Sequence, residues 1–369
     1  MLPYVIIFGV VITIMLFASS KKVSPKTAMT LAIVVAVILS IFGGLRSLET
    51  GTDIGVYGLK YFKLAENSQD LSIYTEKYND KIELGYLFVN YAIAKTTHSF
   101  SVFLTVLQLF TNIPIFIVIA KRKDKCNLAL ATTIYLLLFY CQTFNMMRQS
   151  IALSFCLLAI DSIANKKKFA AFSALAILFH STALYYILLR TIIYILNNKN
   201  QKAFRKIMRF LFVASIAFII FAPIFINTFY SNGLISIDYY NYISRFSKKN
   251  DSLSIAELFI YAILTTPIVA SYIKKNAKES DKKGSAIIGS ILYFSKKSIQ
   301  YINRIAFYFQ YEYITILPVI INKWKAKNTR TKTICTLALI AVLLSYWYLT
   351  ICVWKWHEVY PYKAAKPLN

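Results

Sequence analysis

Apolar stretches long enough to cross a bilayer recur along the whole of this chain, and that recurrence leaves no room for a sizeable soluble domain. A spanning helix needs roughly 17–25 mainly apolar residues. Such stretches run at about 2–19, 28–44, 101–120, 127–144, 147–164, 169–181, 182–196, 210–228, 254–273, 286–301, 305–321 and 334–353. Composition agrees: 57% of the 369 residues are hydrophobic and 16% are charged, the balance of an integral membrane protein. The expected fold is an all-α polytopic membrane protein of about 11–13 transmembrane helices, a single integral membrane domain over 1–369. The first stretch lacks a basic leader and a small-residue cleavage site, so it reads as a retained span. The pair at 169–196 suits a tight hairpin, a broken helix or one tilted helix, and Lys296-Lys297 blurs the boundaries within 286–321. Pro114, Pro223, Pro267 and Pro318 fall inside spans, where neighbouring helices can satisfy the freed carbonyls.

The connections sort by charge. Lys21-Lys22 to Lys26, Lys121 to Lys125, Lys166-Lys167-Lys168, Lys199 to Arg209, Lys274 to Lys283 and Lys323 to Lys332 are basic. With all six on the cytoplasmic side the spans alternate without conflict and both termini lie outside. One condition applies: 83–95, with too few apolar residues to cross, is an interfacial or re-entrant helix. Two larger outer loops result, about 45–82 and 229–253. A net charge of +26 suggests nucleic acid in a soluble protein; here it reports cytoplasmic lysines, and no nucleic-acid partner is expected. The five cysteines are scattered singly, with neither metal spacing nor a disulfide framework. No Walker loop, dinucleotide signature or zinc-ligand pair is present, and no internal repeat argues for a transporter of duplicated halves.

Between 127 and 164 the apolar run is broken by one polar knot, Asn145-Met146-Met147-Arg148-Gln149-Ser150. On a helix Asn145, Arg148 and Gln149 stand at i, i+3 and i+4 and share a face, which Ala152 keeps open. An arginine at membrane depth costs from about 3 to over 10 kcal/mol, so it needs an anion, a partner carboxylate or a polar cavity. The lysine-derived topology gathers the unusual polar residues on the outer side. Arg46, Asp53, Tyr57 and Glu83 fall in or beside the first outer loop, Asn145, Arg148 and Gln149 at an outer turn, and His180 at the apex of the 169–196 pair. Asp238 and Arg245 lie in the second outer loop and Arg304 at the start of 305–321. Arginine grips phosphate or carboxylate with a planar fork. Each residue also has a structural reading. Arg148 can pair with Asp53 or Glu83, His180 can be a hydrogen-bonded interior histidine, Arg304 an interface anchor, and Glu83 a cap of the interfacial helix. Among the 27 tyrosines, Tyr239-Tyr240-Asn241-Tyr242 is the expected place for stacking on sugar rings.

The pattern resembles the EpsG-like, Wzy-type membrane polymerases of bacterial exopolysaccharide and O-antigen. The similar residues are Arg46, Asp53-Ile54-Gly55-Val56-Tyr57, Glu83-Leu84-Gly85-Tyr86, Asn145-Met146-Met147-Arg148-Gln149-Ser150-Ile151-Ala152 and Phe179-His180-Ser181. Asn303-Arg304 ahead of a span with Pro318, and Pro361-Tyr362, continue the likeness over nearly the whole chain. The resemblance implies a multi-pass protein of the bacterial cytoplasmic membrane with its active face outside. It implies transfer of a growing glycan from undecaprenyl diphosphate to the terminal sugar of the next lipid-linked repeat unit. Its partners are then the undecaprenyl-diphosphate-linked oligosaccharide, the lipid bilayer and a chain-length regulator. Such chemistry needs a cationic clamp on the departing diphosphate, for which Arg148, Arg46 and Arg304 are the candidates, with Asn145, Gln149, Tyr57 and Tyr86 beside them in binding the diphosphate or the glycan. It also needs a base for the attacking hydroxyl: Glu83 or Asp53, with His180 as the other candidate. No cofactor is implied, and three arginines supply the charge that a metal provides elsewhere, although paired acids in the first loop keep a metal open. Two rivals stand beside this reading: another multi-span lipid-phosphosugar glycosyltransferase, for which an Asp-x-Asp pair is missing near Asp53, and a lipid-linked saccharide flippase or transporter, which wants polar residues at all depths.

Overall fold

The computed structural model describes residues 1–80, 82–237, 240, 255–274, 279–294, 303–323 and 329–365. Among them the chain is helical throughout, and the one β pairing is an isolated antiparallel bridge between Arg46 and Ala364. We label the α-helices α1 Leu2–Ala18, α2 Pro25–Gly44, α3 Leu59–Asn67, α4 Leu71–Tyr78, α5 Leu84–Thr97, α6 Phe100–Ala120, α7 Leu128–Leu138, α8 Met147–Asp161, α9 Lys166–Phe179, α10 Ala183–Lys199 and α11 Gln201–Ser231. After them come α12 Ile255–Ile273, α13 Ser280–Tyr293, α14 Asn303–Gln310, α15 Tyr313–Lys323 and α16 Thr329–Trp347. Short polar residues start many of them: Ser24, Asp70, Ser99, Asn127, Asn165 and Asn200 each accept a hydrogen bond from a backbone N–H of the first turn. Pro25–Gly44, Phe100–Ala120, Ala256–Ile273 and Thr333–Val353 are long and apolar enough to cross a membrane, and Leu2–Ala18 and Leu128–Leu138 are shorter apolar helices. The protein is an all-helical polytopic membrane protein.

Several elements differ from the expectation. The region 45–82 is not an open loop: a π-helical turn Ile54–Gly58 leads into α3 and α4. The stretch 127–144 is α7 running into a 3₁₀ turn, Tyr140–Phe144. The 169–196 pair is two helices broken at 180–182. The stretch 210–228 sits inside the 31-residue α11. The helix expected at 286–301 begins earlier, so Asp281, Lys282 and Lys283 belong to α13 and not to a basic loop. The span 305–321 is broken at Tyr311–Glu312 into α14 and α15. The helix expected near 83–95 is present as α5; its 14 residues rise about 21 Å, short of the ~30 Å of a bilayer core.

The helices group into two compact units, Met1–Leu184 with Ile321–Asn369, and Tyr185–Ile320. In the first, polar side chains pin α2, α6 and α7 together inside an apolar core. The Asn112 amide donates to Ser40 Oγ (3.0 Å), Tyr135 Oη donates to Asn112 Oδ1 (2.5 Å), and Gln108 Nε2 reaches Thr143 Oγ1 (3.2 Å). Hydrogen bonds of this kind hold helices where lipid supplies no hydrophobic drive. At the centre, every residue from 128 to 160 is buried except Arg148. A helix apolar all round belongs in a core; the single opening in that core is the arginine.

The segment after α16 makes a π-helical turn, Tyr348–Val353, then a 3₁₀ turn, Trp356–Glu358, and folds back over 45–51. Backbone N–H groups of Ser47, Gly51 and Ala365 donate to the carbonyls of Lys363 (2.7 Å), Glu358 (3.1 Å) and Leu45 (2.7 Å). The Tyr362 ring stacks on Phe42 at 4.3 Å and its hydroxyl donates to Phe42 O. This strap closes one side of the Asn145 turn.

Candidate functional site

Arg148 is the second residue of α8, and its guanidinium leaves the buried core to pair with the carboxylate of Glu83 at the start of α5. Arg148 Nη1 donates to Glu83 Oε2, while His180 Nδ1 lies 2.5 Å from Glu83 Oε1. Opposite an ionised carboxylate that nitrogen is the donor, which fixes the imidazole tautomer. Glu83 occupies the N-cap position of α5, yet its side chain makes no capping bond; it is turned to Arg148 and His180. Burial works to raise the Glu83 carboxyl, but the hydrogen bond from His180 and the charge of Arg148 outweigh it and hold the group at about 2. The side chains of Arg148, Glu83 and His180 are 21%, 18% and 25% exposed, so a ligand can reach all three.

Local sequence explains how the three meet. His180 ends α9 in extended backbone (φ −161°, ψ 116°), which turns it out of the helix. Gly85 passes against the end of α9: a Cβ there would come within 2.8 Å of Leu178 O. Any larger residue would push α5 away from α9 and part Glu83 from His180. Aromatic rings frame the arginine, with Arg148 Cζ 5.2 Å from the Tyr57 ring centroid and 6.0 Å from that of Tyr86. Such contacts orient the planar guanidinium without neutralising it. Five residues expected from the sequence, Tyr57, Glu83, Tyr86, Arg148 and His180, thus form one cluster.

The others are placed differently. Asn145 does not share a helical face with Arg148, because α8 begins only at Met147 and Asn145 sits in the turn before it. Its Oδ1 accepts from the backbone N–H of Asp53 (3.4 Å) and its Nδ2 donates to His357 O (2.7 Å), so it ties the 45–58 region to the strap. Gly51 has φ +103°, a conformation open to glycine, and a Cβ there would strike Asn145 Oδ1 at 2.7 Å. Asp53 lies half-buried before the π-helical turn, within electrostatic reach of Tyr86. Gln149 is buried. Arg46 is 2% exposed: its guanidinium donates to the carbonyls of Gly43 and Phe144 (3.2 Å for the latter) and lies 4.6 Å over the Phe144 ring. Those contacts make Arg46 a clasp on the turn ahead of the knot. Arg304 is half-buried in the first turn of α14, in the second unit. Asp238, Tyr239, Tyr242 and Arg245 fall outside the described residues, and Tyr240 stacks on Tyr230 at 4.1 Å.

One cluster was not anticipated. Within the second unit the fully buried Arg190 of α10 donates through Nε to Glu312 Oε1 (2.7 Å) and through Nη2 to Asp281 Oδ2 (3.3 Å), and Tyr186 Oη donates to Glu312 Oε1 (3.2 Å). Glu312 stands at the break between α14 and α15. The signal was available: Arg190 and Glu312 are opposite charges inside two apolar stretches, each needing a partner.

A polytopic helical membrane protein with a solvent-reachable arginine–carboxylate–histidine cluster is the class that fold and site define. The chain belongs to the EpsG family, which it matches over residues 29–364. That membership carries a polysaccharide polymerase-type, glycosyltransferase-like role in polysaccharide biosynthesis at a membrane. No curated protein and no solved structure matches the chain.

Proposed function

We propose that the protein polymerises lipid-linked oligosaccharide repeat units on the outer face of the cytoplasmic membrane. The growing glycan passes from undecaprenyl diphosphate to the terminal sugar of the next lipid-linked unit. In the step, a hydroxyl oxygen of the acceptor sugar bonds to the anomeric carbon of the donor, and the bond from that carbon to the diphosphate oxygen breaks with its electron pair. Arg148 receives the charge that develops on the departing oxygen, the role for which a planar, always-charged fork suits. Glu83 takes the hydroxyl proton, and His180 orients the carboxylate. A chain-length regulator remains an expected partner.

The observation that carries this reading is the shared carboxylate. Arg148 is already paired with Glu83, so an incoming diphosphate competes for the arginine and releases one carboxylate oxygen. Losing the neighbouring positive charge makes the carboxylate more basic. Donor binding therefore prepares the base, which at about 2 is otherwise too weak to accept a proton from a sugar hydroxyl. Purified protein given lipid-linked repeat units, with and without chelator, tests the reading: ladders of joined units are expected in both. Units that cross a vesicle membrane without being joined would instead identify a transporter.

A further inference from the structure

Beyond the Arg148–Tyr57 contact lies a second group of tyrosine rings. It begins at Tyr61 of α3, four residues after Tyr57 and near enough to Arg148 and Tyr57 to feel their charges. Its ring meets Tyr78 edge to face, 5.5 Å between centroids at 90°. Tyr78 meets Tyr74 at 5.3 Å, and Tyr74 meets Tyr91 at 6.0 Å. Four tyrosines from α3, α4 and α5 thus form a continuous series of ring contacts, and Tyr57 of the π-helical turn, over which Arg148 lies, stands four residues before its first member.

The series has a buried side and an open side. Tyr61 and Tyr74 are 6% and 1% exposed, and Tyr74 Oη donates to Tyr61 O at 3.2 Å, which locks the two as a brace. Tyr57 is exposed, and Tyr78 and Tyr91 are half-buried. Packing three short helices requires only the brace, and aliphatic side chains would supply it. Lysines stand over the outer rings: Lys77 Nζ is 5.7 Å from the Tyr78 centroid and Lys95 Nζ is 5.7 Å from that of Tyr91. Lys95 is held in place by donating to Glu66 O (2.9 Å). Flat rings with phenol hydroxyls, flanked by ammonium donors, suit the apolar C–H face and the hydroxyl rim of a pyranose.

We propose that Tyr57, Tyr78 and Tyr91 form a track for successive sugar rings of the glycan, leading away from Arg148 and Glu83. The inference rests on the polymerase reading for the identity of the glycan and adds a site where the chain, not the carrier, is held. Each ring contact is weak by itself, and several on one chain raise the effective concentration of the next. A track of this kind keeps a long product attached while its end reacts, and lets it slide between equivalent stacking positions.

The test measures binding to purified full-length protein of carrier-free oligosaccharides of one and of four repeat units, released by mild acid from the natural lipid-linked material. The wild-type protein is expected to bind the longer probe at least about tenfold more tightly. The Tyr78→Leu/Tyr91→Leu protein, which keeps apolar volume for packing, should lose that length dependence. Equal binding of both probes by the wild type overturns the track, and so does an undiminished length increment in the variant. Because no transfer is measured, the two readings fail separately: length-dependent binding by a wild-type protein that joins no lipid-linked units would sink the polymerase reading and leave the track standing.

Discussion

Arg148 and His180 meet at the two oxygens of one carboxylate, the former on Glu83 Oε2 and the latter 2.5 Å from Oε1. Neither side chain is loose in the resting protein, and neither is sealed away. In the proposed reaction this arrangement would store the anion-binding arm in a paired form and couple its release to the state of the carboxylate between them.

Arg148→Ala removes the arm and leaves the buried faces of α8 untouched. The variant should fold, with its thermal midpoint lowered by only a few degrees, while long polymer disappears and single lipid-linked repeats accumulate. Arg148→Lys keeps charge without the fork and should recover only part of the yield. Polymer of normal length and amount in the alanine variant, seen by gel ladder, would show that the clamp lies elsewhere.

Glu83→Gln should lower joining by about 10²–10⁴-fold, the usual range for a lost general base. It should also flatten part of the acid response of stability. The folded carboxyl sits near 2, below the roughly 4.3 of an unfolded glutamate. Its contribution is therefore complete above about pH 5 and lost as pH falls from about 4 through 2. The difference in melting temperature between wild type and Glu83→Gln, followed from pH 6 to pH 3, should shrink. A constant difference would contradict the pairing.

His180→Ala leaves Glu83 held by Arg148 alone and should reduce joining about 10–100-fold. His180→Asn restores a donor to the carboxylate and should regain a large share if orientation is the role. No rescue, together with a lost limb in the pH–rate profile, would instead assign proton transfer to the imidazole.

Arg46→Met should behave unlike Arg148→Ala. It strands the buried carbonyls of Gly43 and Phe144, at roughly 1–3 kcal/mol for each unsatisfied group. A marked drop in thermal stability and in membrane yield is expected; a protein as stable as wild type but inactive would return Arg46 to the diphosphate clamp.

Glu312→Ala leaves Arg190 buried with half its partners, and breaking such a pair costs about 3–5 kcal/mol. The triple variant Arg190→Met/Glu312→Gln/Asp281→Asn, which removes all three charges together, should regain most of that loss, read by thermal unfolding in detergent. A triple variant that folds but no longer joins units would point to a role in the chemistry.

Much of the site was legible because its residues break the rule of their surroundings. A charge inside an apolar run is conspicuous, and Arg148 stands out by that contrast, whereas Glu83 and His180 are legible through the outer side to which the lysine pattern assigns them and through the family resemblance. What the pattern did not carry was the local backbone: one turn ahead of α8 places Asn145 off the helical face, where it ties Asp53 to the strap. Periodicity presumes a continuous helix, and neither a 3₁₀ turn nor a π-turn announces itself in hydropathy. Arg46 was read by its chemistry as a clamp, since carbonyl partners contributed by Gly43 and Phe144 leave no trace in side-chain identity. The break at Tyr311–Glu312 was hidden for the same reason, although the two charges that occupy it were visible.

The strap over residues 45–51 has a consequence for biogenesis. Thr50 and the Lys363 carbonyl that it meets are separated by 313 positions. At about 5–20 residues per second of synthesis, the early segment waits on the order of 15–60 s in the membrane before its partner is made. Until then the Asn145 turn lacks one of its walls, including the His357 carbonyl to which the Asn145 amide donates. Closure of the Asn145 turn is therefore a late event in the making of this chain.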